Sequence, residues 1–150
     1  MTKRIILLLF LALLISGCSQ PGPIKLPESA YEKSELRETD YKSISEKINS
    51  GENFILYVYT NHCEACMSFK PVLEEFIEER GITIFAIEKA AIEKGSKLDK
   101  EVKLAPTVLI IGNKKTIARL DPNRGKDKAH YETSDGFASW FDKHVINERP

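Results

Sequence analysis

Cysteine is scarce in this chain, and its scarcity limits the metal sites that the chain can form. The 150 residues include only three cysteines: Cys18, Cys63 and Cys66. A zinc site made of four cysteines is therefore excluded within one chain. A site of two cysteines and two histidines would combine His62 with His130 or His144, and neither spacing matches a known zinc finger. We expect no structural metal and no bound cofactor.

The apolar run at the start of the chain, residues 5–15, is too short to cross a membrane comfortably. It follows Lys3 and Arg4 and has the length expected for the core of a signal peptide. Its end, Leu14-Ile15-Ser16-Gly17-Cys18, resembles the lipobox of bacterial lipoproteins, in which cleavage before the cysteine follows its modification with diacylglycerol. An ordinary secretory signal followed by a chance cysteine is the alternative.

The lipobox resemblance implies a chain of three segments. Residues 1–17 would be a lipoprotein signal peptide, residues 18–30 the lipidated Cys18 and a flexible tether, and residues 31–150 the folded domain. The mature protein would then lie outside the cytoplasm, held at a membrane by its lipid. Disulfides form and persist in such compartments, so we expect Cys63 and Cys66 to be a working redox pair.

Neither sign of charge dominates the sequence. The 22 basic residues balance 22 acidic ones, and removal of residues 1–17 leaves 20 basic and 22 acidic residues. A near-neutral balance argues against nucleic acid or an anionic surface as the main partner. There is no internal repeat, and residues 31–150 suffice for one compact domain with its own core.

Cys63 and Cys66 form a Cys-x-x-Cys at the junction between two predicted elements. Residues 54–59 are aliphatic, β-branched and aromatic, which is typical of a buried strand. After the cysteines, apolar residues recur at helical spacing: Phe69, Val72, Leu73, Phe76 and Ile77. Cys63 is therefore predicted to cap a helix, where the helix dipole and free N–H groups favour the thiolate. Cys66, one turn further on, is placed to resolve a mixed disulfide by attacking Cys63.

Hydrophobic periodicity and turn residues outline the rest of the domain. In its first half we expect a helix within residues 31–50 that ends at Gly51, a strand over 53–60, the cysteine turn, and a helix that ends at Gly81. In its second half we expect a strand over 82–87, a helical or irregular crossover over 89–100, strands over 106–111 and 116–120, an exposed loop over 121–133, and a helix over about 135–147. The prediction is an α/β domain with a central mixed sheet of four strands, or alternatively five, flanked by helices on both faces.

Over roughly residues 41–147 the chain resembles the thioredoxin-like thiol-disulfide oxidoreductases. Three features carry the resemblance. The first is the Cys-x-x-Cys between strand and helix. The second is Pro71, five residues after Cys66, where the family has a proline that kinks the helix. The third is Ala105-Pro106-Thr107 at the start of a strand, which is similar to the family's cis-proline turn.

The resemblance implies a thioredoxin-like fold and an enzyme that reduces, forms or exchanges disulfides in exported proteins. Cys63 would attack and Cys66 would resolve. The turn at Ala105 and Pro106 would face the dithiol and position an extended substrate segment. Because the chain has no second cysteine pair to relay electrons, an external redox partner is implied.

The chain also departs from the family pattern. The buried acid that thioredoxins carry on the preceding strand would fall at Tyr57, so the group that exchanges a proton with Cys66 is unassigned. Glu64, between the cysteines, is either a substitute for that acid or an exposed glutamate in the first helical turn. His62 replaces the usual tryptophan, and it either stabilises the thiolate when protonated or is a solvated turn residue.

Two other functions fit the same motif. In one, Cys63, Cys66 and His62 hold Cu(I) for delivery to an exported metalloenzyme. In the other, the domain is a non-catalytic accessory protein and its redox pair is incidental. A binding role should survive the loss of both thiols, whereas oxidoreductase activity should not.

Overall fold

Five strands form one mixed sheet at the centre of the computed structural model, which describes residues 22–147. The strands are β1 (Glu35–Glu38), β2 (Phe54–Tyr59), β3 (Thr83–Glu88), β4 (Thr107–Gly112) and β5 (Lys115–Leu120). Their order across the sheet is β1-β3-β2-β4-β5. The first two neighbouring pairs are parallel and the last two antiparallel. The predicted mixed sheet is confirmed, with five strands.

Four α-helices flank the sheet: α1 (Tyr41–Ser50), α2 (Glu64–Arg80), α3 (Lys97–Glu101) and α4 (Ser134–Phe141). Three short 3₁₀-helices connect other elements: Glu28–Tyr31, Lys89–Ala91 and Gly125–Tyr131. Helices α1 and α2 end at Gly51 and Gly81, which have the positive φ angles of 82° and 63° that glycine adopts without steric cost. Both ends lie where the sequence predicted them. No helix within residues 22–147 is long and apolar enough to cross a membrane.

The core lies in two layers because β2 points alternate side chains to opposite faces of the sheet. Ile55 and Tyr57 join the cluster under α2 and α4. Leu56 and Val58 join the cluster under α1 and α3. Helices therefore cover both faces, as predicted, and the strand that leads to the cysteines is buried on both sides.

Strand β1 lies where the sequence predicted part of a helix. The helix predicted within residues 31–50 begins only at Tyr41. Asp40 caps it by accepting a 2.8 Å hydrogen bond from the N–H of Ser43. Strand β1 precedes it at the edge of the sheet, paired only with β3. Three of its four residues are charged, so the local sequence lacks the apolar pattern of a strand.

The predicted tether over residues 18–30 extends too far into the chain. Ile24 and Leu26 are 7% and 3% exposed and belong to the core. The backbone of Ile24 pairs with the segment after α4, donating to the carbonyl of His144 and accepting from the N–H of Ile146, both at 2.8 Å. The folded domain therefore includes Ile24 and Leu26, which the prediction assigned to the tether.

The segment over residues 121–133, predicted to be an exposed loop, is partly buried. It contains the 3₁₀-helix Gly125–Tyr131. Asp127 is 4% exposed, pairs with Arg124 at 2.7 Å, and accepts a 3.0 Å hydrogen bond from the N–H of Asp121. The following helix, α4, ends at Phe141 and is shorter than predicted.

Leu26→Ala should lower the free energy of unfolding by about 2–5 kcal/mol, because it removes a buried side chain and leaves a cavity. Urea unfolding of the oxidised protein measures this change. Glu28→Ala, an exposed position in the same segment, is the control and should change the free energy by less than about 0.5 kcal/mol. Equal effects of the two substitutions would show that the segment is only a tether.

Candidate redox-active site

Cys63 and Cys66 lie where β2 ends and α2 begins. Cys63 is the N-cap residue of α2, with an extended backbone, and the two cysteines form a disulfide with their Cα atoms 5.1 Å apart. The N–H of Cys66 donates a 3.1 Å hydrogen bond to Cys63 Sγ. The sulfur of Cys63 thus takes the place that a serine or aspartate oxygen takes at other helix starts. The prediction that Cys63 caps this helix is confirmed.

The two sulfurs differ in exposure. Cys66 is 5% exposed and belongs to the buried residues, whereas Cys63 is partly exposed. A sulfur at a helix N-terminus is stabilised as a thiolate by the free N–H groups and the helix dipole. Cys63 is therefore the sulfur that an external disulfide or thiol can reach.

The loop before β4 faces Cys63. The Ala105–Pro106 bond is cis, and the carbonyl oxygen of Ala105 lies 3.7 Å from Cys63 Sγ although 42 residues separate the two in sequence. The approach follows from the sheet, because β4 pairs with β2 antiparallel and places Thr107 opposite Val58. The predicted juxtaposition of this turn and the dithiol is confirmed.

Tyr57 lies beneath the dithiol on the buried face of β2. Its side chain is 2% exposed, and its hydroxyl donates a 3.4 Å hydrogen bond to the carbonyl of Cys66. Burial raises the pKa of Tyr57 well above the usual range for tyrosine. Tyr57 is therefore a neutral hydrogen-bond donor at the place where the family resemblance puts an acid.

Tyr59, two residues further along β2, extends the contacts away from the cysteines. Its ring stacks on that of Tyr57 with centroids 5.8 Å apart, and its hydroxyl donates a 3.0 Å hydrogen bond to Glu38 Oε2. Desolvation and that hydrogen bond raise the pKa of Tyr59 to about 12. Both tyrosines keep their protons at neutral pH.

An open cavity of about 380 Å³ lies beside Cys66, between β1, β2 and the start of α2. Its lining includes Glu38, Tyr57, Tyr59, His62, Cys66 and Met67. Cys66 borders this cavity, whereas Cys63 faces the Ala105–Pro106 loop. The two cysteines therefore have different surroundings, Cys66 at the cavity and Cys63 at the loop.

Comparison with known proteins bears on the fold of this chain. No protein-family model and no curated protein sequence matches it. Solved structures do match. Thioredoxin f2 from Chlamydomonas reinhardtii aligns with a TM-score of 0.56 and 17% identity over 77% of this chain and 99% of that one. Thioredoxin f from spinach chloroplast aligns with a TM-score of 0.55 and 13% identity over 81% and 96% of the two chains.

A mutant thioredoxin from Halobacterium salinarum gives a TM-score of 0.57 with 11% identity, over 75% of this chain and 93% of that one. The chain has the thioredoxin fold. Within it, the Cys63–Cys66 disulfide joins the end of β2 to the first turn of α2, and Pro71 lies inside that helix, as the sequence predicted.

His62 and Glu64, the residues on either side of Cys63, have different surroundings. His62 is exposed, has a positive φ of 63°, and lines the cavity beside Cys66. Glu64 is exposed in the first turn of α2 and is not part of the cavity lining. Glu64 thus occupies the position of an ordinary helix-start glutamate. Cys18 lies outside the described residues.

Sequence reasoning missed Tyr131 and Glu38 as parts of the site. The hydroxyl of Tyr131 donates a 3.0 Å hydrogen bond to the carbonyl of Pro106, and its ring packs on Phe69 with centroids 4.7 Å apart. Burial raises the pKa of Tyr131 far above its usual range, so this donor stays protonated. Tyr131 lies in a polar segment with no apolar pattern, and Glu38 lies in an unpredicted strand. Neither position carries a local signal.

Residues 22–147 contain no group of three or more histidine, cysteine and acidic side chains that could hold a metal ion. His130 contacts the carbonyl of Gly136 at 2.6 Å, and the ring of His144 packs on Trp140 with centroids 5.6 Å apart. Both histidines therefore contact residues of α4. The geometry is that of a dithiol–disulfide pair with a facing backbone loop.

Proposed function

We propose that this protein is a thiol-disulfide oxidoreductase that acts on exported proteins. The observation that carries the proposal is the Cys63–Cys66 disulfide at the start of α2, with the Ala105 carbonyl 3.7 Å from Cys63 Sγ, in a thioredoxin fold. One sulfur is accessible and capped by a backbone N–H, and the other is buried beneath it. This asymmetry suits an exchange that proceeds in two steps.

In the reducing direction, the thiolate of Cys63 attacks a substrate disulfide. A bond forms between Cys63 and one substrate sulfur, and the other substrate sulfur leaves as a thiolate that takes up a proton. Cys66 then loses its proton and attacks Cys63 Sγ, which releases the second substrate thiolate and forms the Cys63–Cys66 disulfide. Two electrons pass from the dithiol to the substrate, and the same steps reversed oxidise a substrate dithiol.

Exposed apolar side chains next to the cysteines favour protein substrates. Met67, one residue after Cys66, is 64% exposed, and Leu104, just before the cis bond, is 41% exposed. At these positions the two side chains offer apolar contacts to a protein substrate that approaches the cysteines. An external redox partner would reset the pair after each turnover, because the chain has no further cysteine pair.

Cys66→Ser should convert the protein into a trap. Cys63 can still attack a substrate disulfide, but the resolving thiol is gone, so a mixed disulfide accumulates. Incubating the reduced variant with a disulfide-bonded peptide and measuring intact mass should show one peptide strand attached. Cys63→Ser is the matched control and should attach none. Trapping by the Cys63→Ser variant alone would reverse the assigned roles.

We also propose that Cys18 carries a lipid that anchors the domain at a membrane outside the cytoplasm. The lipobox-like sequence supports this, and so does the position of Ile24 in the fold. Ile24 lies against Gly112, at the end of β4, because a Cβ atom added to this glycine would be 3.3 Å from the Ile24 side chain. Thr107, at the other end of β4, adjoins the cis-proline turn. Because six strand residues span about 20 Å, an anchor before Ile24 would leave the dithiol at the far end of the sheet.

Cys18→Ala should move the protein from the membrane fraction to the soluble fraction or block its processing, because the site of lipid attachment is lost. Cell fractionation with mass spectrometry of the N-terminus measures both effects. Ser19→Ala is the control and should leave the protein in the membrane fraction. A membrane-bound wild-type chain that starts at Met1 and carries no lipid would contradict the proposed anchor.

A further inference from the structure

The buried position of Cys66 creates a requirement for proton transfer. Its thiol must lose a proton before its sulfur can attack Cys63 Sγ, because the thiolate is the nucleophile. Cys66 is 5% exposed, and the cavity that it borders lies on the side of β1. The proton acceptor is therefore to be sought among the groups that line this cavity.

Glu38 is the one carboxylate that residues 22–147 contribute to that lining. It is the last residue of β1, and the hydroxyl of Tyr59 holds it with a 3.0 Å hydrogen bond. Tyr59 stacks on Tyr57, whose hydroxyl in turn donates to the carbonyl of Cys66 at 3.4 Å. The two tyrosines thus form the wall of the cavity that runs from Cys66 to Glu38.

The other charged or titratable groups around Glu38 suit proton acceptance less well. Tyr57 and Tyr59 keep their protons because their pKa values are raised. Lys70, on α2, lines the cavity as a cation and pairs with Glu74 at 3.7 Å. Glu88, paired in register with Tyr59, accepts a 2.7 Å hydrogen bond from Asn61 and is not in the lining.

His62 is the remaining candidate in the cavity lining. It is exposed on the turn before Cys63, so bulk water competes for its ring. The hydrogen bond from Tyr59 holds Glu38 at the cavity, whereas no side chain within residues 22–147 donates a hydrogen bond to the His62 ring or accepts one from it. Glu38 is the better placed of the two groups.

We propose that Glu38 accepts the proton of the Cys66 thiol, through water in the cavity, during resolution of the mixed disulfide. The S–H bond of Cys66 breaks, its proton passes to the Glu38 carboxylate, and the Cys66 sulfur forms its bond to Cys63 as the substrate thiolate leaves. In the opposite direction the protonated Glu38 returns the proton to Cys66 as it leaves the disulfide. This assignment rests on the proposed oxidoreductase function.

The test separates the two steps of a single turnover. Reduced protein is mixed with a disulfide-bonded peptide, quenched with acid at successive times, and analysed by intact mass. Formation of the mixed disulfide reports the attack by Cys63, and its decay reports the attack by Cys66. Glu38→Gln should leave formation unchanged and slow decay about tenfold at neutral pH, with decay recovering as pH rises, because general-base assistance is lost.

Three further variants make the result specific. Glu88→Gln, the matched control at the neighbouring strand end, should leave both steps unchanged. Glu38→Asp should restore part of the decay rate, because it returns a carboxylate to the cavity. In the Cys66→Ser background, Glu38→Gln should have no effect, since only the attack by Cys63 remains.

Unchanged decay in Glu38→Gln, or equal slowing of both steps, would overturn the assignment. Slower decay in His62→Gln combined with normal decay in Glu38→Gln would assign the proton to His62 and would also overturn it. A wild-type protein that releases no peptide thiol, together with a Cys66→Ser variant that forms no mixed disulfide, would overturn the proposed function itself, which is a distinct result.

Discussion

The sulfur of Cys63 caps α2 by accepting a 3.1 Å hydrogen bond from the N–H of Cys66, and the rest of the site depends on this cap. The cap fixes the position of Cys63 at the rim and turns Cys66 into the first buried residue of the helix. It also directs a helix N-terminus at the exposed sulfur, where a thiolate is stabilised. If the helix began one residue later, Cys63 would no longer be its N-cap residue, and its sulfur would no longer accept the hydrogen bond from Cys66.

The sheet supplies the second constraint. Strand β2 is central, and its neighbours β3 and β4 bring two distant parts of the chain to the cysteines. On one side β4 brings the Ala105–Pro106 turn to Cys63, and on the other β3 pairs with β1, whose residues line the cavity beside Cys66. Cys63 thus faces the turn, whereas Cys66 borders the cavity. Substrate is expected at the turn, whereas proton transfer is assigned to the cavity.

Local patterns predicted most of the fold and the reactive pair. The strand over 54–59, the helix with its apolar stripe and the glycine ends at Gly51 and Gly81 all have signals within a few residues. The cysteine spacing and Pro106 also have sequence signatures. These signals were sufficient because burial constrains the local sequence: a strand buried on both faces is a continuous apolar run, and a helix buried on one face is periodic.

The residues that sequence reasoning missed depend on tertiary pairing. Strand β1 is charged and half exposed, and only its pairing with β3 makes it a strand. Ile24 joins the core through a backbone bridge to Val145, more than a hundred residues away. Tyr131 reaches Pro106 from a polar segment. Because Glu64 lies between the cysteines in sequence, it was the candidate for the missing acid, whereas the carboxylate that lines the cavity is Glu38.

A redox titration of the Cys63–Cys66 pair, with metal analysis of the same sample, tests whether the two cysteines form a working redox pair. The protein is equilibrated in thiol–disulfide buffers of graded potential, and the disulfide fraction is measured by thiol trapping. We expect one reversible two-electron transition, at roughly −270 to −120 mV as in other dithiols of this fold, with no bound metal. A pair that shows no reversible transition and holds one copper ion per chain when reduced would contradict it and favour the metal-binding alternative.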